Sequence, residues 1–75
     1  MDNVEERIKY ITDANLSNNE TRDRLLMLDA ENVDLGRGHT EEQEIQMRAN
    51  SITIVEAIEP YDPYAYEILK RGFDS

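Results

Sequence analysis

The chain reads as an all-α protein, a small bundle of three to four helices packed around a long third helix and completed by oligomerisation. Three observations predict this. Apolar residues recur at helical spacing in four stretches, the breaks between them are rich in Asn, Ser, Gly or Pro, and 75 residues are too few for a large core. A domain of this size buries only about 60–65% of its extended-chain surface, so a second copy often supplies what is missing. Residues 1–75 are read as one acidic helical domain, with a dimer as the favoured assembly.

Residues 2–15 predict the first helix. Asp2 is the expected cap, with Glu5 at the third helical position and Glu6 beside it in the favourable first turn. Val4, Ile8 and Ile11 form one stripe, joined by Ala14. Tyr10 falls off it and is expected to cover a neighbouring element, the alternative being an interface anchor. Arg7 and Lys9 are expected in solvent. Residues 16–19, LSNN, make the first break, because Asn and Ser side chains compete for backbone hydrogen bonds. Ser17 followed by Glu20 is a capping-box pattern, although Asn18 or Asn19 could also cap. The second helix is expected to run to about Glu31, with Leu25 and Leu28 paired and Leu26 and Met27 widening the apolar face.

Residues 32–39, NVDLGRGH, predict the second break, with Gly36 and Gly38 flanking Arg37. Arg37 on that loop is the local candidate for a specific contact, since a guanidinium fork suits a carboxylate or phosphate. The spacing does not make a phosphate loop. His39, the single histidine, is expected to be an exposed residue near the next cap.

Residues 40–59 are the longest stretch readable as one element. Thr40 caps it, Gln43 lies three residues on, and Glu41 and Glu42 occupy the first turn. Its apolar residues fall on two arcs: Met47, Ile54, Val55 and Ile58 on one, Ile45, Ala49 and Ile52 on the other. The β-branched run at 51–55 could form a short strand, but it has no good partner, which favours helix. Glu56 and Glu59 edge the second arc, so that arc is expected to be a contact surface and not a deep core, since a buried unpaired carboxylate is costly.

Pro60 ends this element, and Asp62 before Pro63 starts the last helix. That helix is expected from Pro63 to about Arg71, with Gly72 as its stop and Lys70 and Arg71 at its negative end. Tyr61, Tyr64 and Tyr66 are the densest aromatic feature, readable as packing or as a protein-binding patch.

Charge narrows the function. Seventeen acids against eight bases leave −9, and residues 41–67 alone hold seven acids against one base. A field of that sign repels nucleic acid and anionic lipid and attracts basic surfaces. A helix-turn-helix outline in the first two helices is disfavoured, because acids crowd the second one. No nucleophile–base constellation, metal-ligand spacing or cofactor motif is present, so the expectation is a protein that is not an enzyme and uses no cofactor or metal. The chain has no cysteine. No apolar run follows a basic start, and no window reaches membrane-span length, so a cytoplasmic protein is expected.

The expected function is an acidic interaction module that regulates or blocks a partner protein with a basic surface, a nucleic-acid-binding protein being one such partner, by surface occlusion. The interface residues would be Arg37, Glu41, Glu42, Ile45, Ala49, Ile52, Glu56, Glu59, Tyr61, Tyr64 and Tyr66. The competing expectation is an assembly subunit whose apolar arcs build a homo-oligomer.

Overall fold

A computed structural model describes residues 3–36 and 40–74, the side chains of residues 35, 36 and 74 excepted. Four helices follow one another: α1 (Val4–Thr12), α2 (Asn18–Gly36), α3 (Glu41–Ile58) and α4 (Pro63–Asp74). They build a compact all-α domain in which α3 packs against each of the other three, most extensively against α2.

α1 is shorter than residues 2–15: a left-handed asparagine stands before it, and Asp13 ends it in right-handed conformation with its N–H bonded to the Lys9 carbonyl at 2.8 Å. Asn3 precedes it at φ 56° without a side-chain capping bond, and Asn15 at φ 61° turns the chain after it. Asp2, the expected cap, lies outside the described residues. The Ser17 hydroxyl then accepts the Glu20 N–H at 3.2 Å and starts α2.

α2 runs five residues past Glu31, so the break expected at 32–39 begins too early. Thr21, Leu25, Leu28 and Asn32 lie on one stripe at i, i+4, i+7 and i+11, and all four are buried. Asn32 therefore extends the inward face of the helix, with its amide satisfied by α3. At 19 residues α2 is as long as α3, which has 18; α3 is central by position and not by length.

α3 opens on the expected capping box. The Gln43 N–H donates to the Thr40 hydroxyl at 3.3 Å, and the Thr40 N–H donates to the Gln43 side-chain oxygen at 3.0 Å. The run at 51–55 is helical throughout. Its burial pattern matches the first arc: Ile54, Val55 and Ile58 are buried and Met47 is half-buried.

The core joins Val4 of α1, Leu25 and Leu28 of α2, and Ile54 and Ile58 of α3. Ile8, Ile11, Leu26, Tyr61, Ala65 and Leu69 pack on its margins. A column of polar contacts beside it sets the antiparallel register of α2 and α3. Asn32 Nδ2 donates to the Met47 carbonyl at 2.9 Å, Asn50 Nδ2 donates to Asn32 Oδ1 at 3.4 Å, and Gln46 Nε2 donates to Asn50 Oδ1 at 3.0 Å. One turn further, the Ser51 hydroxyl donates to Asp29 Oδ1 at 2.6 Å. Among the described residues no buried side-chain nitrogen or oxygen lacks a partner. The three bonds made by Asn32 and Asp29 span the two helices at one register only, while Gln46 holds Asn50 from within α3, so a slip by a turn would strand several buried polar atoms at once.

Two further ties hold the outer helices. Arg7 on α1 meets Glu31 on α2 through two hydrogen bonds of 3.2 and 2.9 Å, so it is paired and not simply solvated. Arg22 on α2 donates to Asp62 Oδ2 at 2.9 Å, while Asp62 Oδ1 accepts the Ala65 N–H at 3.0 Å and caps α4. That double use holds the Asp62 carboxyl below its ordinary value, the Arg22 hydrogen bond contributing most and the Ala65 N–H next. The Arg22 guanidinium is raised in turn, chiefly by the Asp62 hydrogen bond and then by Asp23.

α4 continues through Gly72 to Asp74, so Gly72 is an interior position and not the stop. Ala65, Leu69, Tyr66 and Phe73 face inward, whereas Tyr64 and Ile68 stay exposed. No described helix is long and apolar enough to cross a membrane.

Candidate interaction surface

α3 is long enough, and capped firmly enough, to carry two faces. With Ile54 and Ile58 turned inward against α2, helical geometry sends Ile45, Ala49 and Ile52 to the opposite side. All three are exposed, Ile45 at 63% and Ile52 at 38%. Glu41 and Glu42 stand at the N-terminal end of this strip, Glu56 and Glu59 at its C-terminal end, and every one is exposed. The ion pairs formed among the described residues are Arg7–Glu31, Arg22–Asp23 and Arg22–Asp62, so none of these four carboxylates is in a direct ion pair with a described cation. Arg48 is the one base along the helix. The result is a short apolar strip with acids at both ends.

At its C-terminal end the strip meets α4. Ile52, Val55 and Glu56 of α3 and Tyr66, Lys70 and Phe73 of α4 surround a small hollow of about 80 Å³. The Lys70 ammonium donates to the Tyr66 hydroxyl at 2.9 Å and lies 5.4 Å from the ring centre, which fixes the aromatic ring at the edge of the strip.

The three tyrosines separate on this scaffold. Tyr61 is half-buried against the core at the α3–α4 turn, and Tyr66 is half-buried beside Ile52. Tyr64 is 75% exposed on the outer side of α4, next to Ile68. The sequence cluster is thus two packing residues and one surface residue. Arg37 lies outside the described residues, as does His39.

A second surface carries the largest exposed side chains of the other half of the molecule. Tyr10, expected to cover a neighbour, is 82% exposed, and Met27, expected to widen the core face, is 71% exposed. The reason is helical phase: α1 meets α2 through Val4, Ile8, Ile11 and Leu28, which leaves Tyr10 and Met27 on the rim. They border a groove of about 720 Å³ between α1 and α2. The signal was available in the sequence, since both residues fall outside the i, i+3, i+4 stripes of their helices.

Among the described residues no group of three or more His, Cys, Asp or Glu is placed to hold a metal ion. The fold is that of a small all-helical domain, consistent with a protein-interaction module. Comparison with protein-family models, with curated proteins and with solved structures gives no match.

Proposed function

We propose that this protein is an acidic interaction module that occludes a basic surface of another protein, with the outer face of α3 as its contact. The observation that carries the reading is the strip itself: Ile45, Ala49 and Ile52 exposed in line, bracketed by Glu41, Glu42, Glu56 and Glu59, none of them in a direct ion pair with a described cation. Apolar area supplies the attraction at close range, and the carboxylates steer a cationic partner and reject an anionic one. A partner surface that itself binds nucleic acid would be blocked by carboxylates standing where phosphates would lie. Tyr66 extends the strip onto α4, while Tyr61 and Tyr64 lie apart from it in role.

The same strip is a poor surface for pairing with itself. Two copies of α3 related by a twofold axis bring acid against acid, whether the helices run parallel or antiparallel, and like charges in contact oppose association.

The test uses a synthetic amphipathic helix with lysines flanking a leucine stripe, titrated calorimetrically. The fourfold variant E41Q/E42Q/E56Q/E59Q removes four charges from the strip, and E5Q/D13N/E20Q/E67Q removes four exposed charges elsewhere. Binding should weaken by about tenfold or more in the first variant and much less in the second. Equal weakening in both would mean that net charge alone attracts the peptide and that α3 is not the contact.

A further inference from the structure

The groove between α1 and α2 has a different chemistry from the rest of the surface. Its floor is apolar, formed by Ile11 and Leu28, and Tyr10 and Met27 rise at its edge. A second hollow of about 520 Å³ lies on the other side of Tyr10, against Lys9, Asp13 and Ala14. One face therefore carries both a protruding aromatic ring and an open groove beside it. That is the arrangement an isologous contact needs, because each copy must offer the knob and the hole together.

Charge selects the occupant. Three acids on this face, Glu6, Asp13 and Glu31, are matched by three bases, Arg7, Lys9 and Arg24, on a chain whose net charge is −9. Arg7 and Glu31 already pair with each other. A basic or an acidic foreign surface gains little from a face that sums to zero. A second copy carrying −9 meets no net repulsion from this balanced face, and Glu6 and Arg24 are exposed charges of opposite sign on the groove, so a twofold contact can set one against the other.

We infer that a second copy of this chain docks in the α1–α2 groove, forming a twofold dimer with Tyr10 of each copy seated against Met27 and Leu28 of the other. This leaves the outer face of α3 free on both copies, so the dimer and the contact with a basic partner are independent of one another.

Sedimentation of the full chain from micromolar to millimolar concentration should show a reversible monomer–dimer equilibrium. Tyr10→Asp should raise the dissociation constant by about thirtyfold, as loss of a central aromatic anchor does. Because Tyr10 is exposed, helix content by circular dichroism should be unchanged, which separates lost docking from lost folding. The absence of cysteine allows a second measurement with single cysteines and a short bifunctional crosslinker: Met27→Cys should be captured as a dimer and Ile45→Cys should not. A monomer at every concentration overturns the proposal. So does a dimer that withstands Tyr10→Asp and is broken by Ile45→Asp, since that would place self-association on α3.

Discussion

Asp62 shows how one side chain can serve two elements. One carboxylate oxygen caps α4 and the other accepts from Arg22 on α2, so the start of one helix is tied to the flank of another. Its pKa is lowered in the folded protein, and the sign of the pH effect follows. The stabilisation is fully present above the ordinary value of 3.8 and is lost as pH falls from there through the lower folded value. Asp62→Asn keeps an acceptor for the Ala65 N–H but removes the charge facing Arg22. In thermal melts at neutral pH the variant should unfold at a lower temperature than the parent, and the gap should close once the pH drops well below 3.8. A gap that stays constant through that window would mean that the charge on Asp62 does not carry the effect. Asn32 makes the complementary point: a residue type that usually ends helices is here buried inside one, because the Met47 carbonyl and Asn50 satisfy both ends of its amide.

The helices differ in how far their limits could be read from local chemistry. α3 was legible because its start depends on Thr40 and Gln43 alone and its end on Pro60, with no help from tertiary structure. Its two faces followed from spacing, and Ile54, Val55 and Ile58 are buried while Ile45 and Ile52 are exposed. α2 was less legible, since whether Asn32 stops or continues a helix depends on a partner 15 to 18 residues away. The spacing of Asn32 from Leu25 and Leu28 held the clue, but side-chain polarity pointed the other way. The tyrosine cluster misled for a similar reason: nearness in sequence put Tyr61, Tyr64 and Tyr66 together, and helical phase set them in different surroundings. At Gly72 the expected stop is a helical residue, and a Cβ added there meets no atom within 4 Å. Gly72→Ala should therefore stabilise α4, by about 0.5 kcal/mol given its place near the helix end. The melting temperature should rise by about 2–4 °C. A fall would show that the position needs a backbone conformation alanine resists.

The whole molecule is thin and strongly charged, and these two properties act together. Its extents are 37 × 27 × 15 Å, and its radius of gyration of 12.2 Å exceeds the ~11 Å of a compact domain of this length. Even its longest extent, 37 Å, is close to the Debye length of about 30 Å at 0.01 M, so at low salt the excess acidic charges repel one another across most of the body. Folding, dimerisation and capture of a basic partner should then respond to salt with different signs. The fold and the dimer both concentrate negative charge, so screening helps them: raising ionic strength from about 0.01 M to about 0.5 M should increase the melting temperature and tighten the monomer–dimer equilibrium. Binding of the lysine-flanked helix brings opposite charges together, so the same change should weaken it by at least about tenfold. Measuring all three on one salt series separates the surfaces without any substitution. If dimerisation weakened with salt alongside peptide binding, the dimer contact would be held by attraction between opposite charges such as Glu6 and Arg24 and not by relief of like-charge repulsion. If peptide binding were indifferent to salt, the carboxylates bracketing Ile45, Ala49 and Ile52 would have no part in it, and the occlusion of a basic surface by α3 would fall.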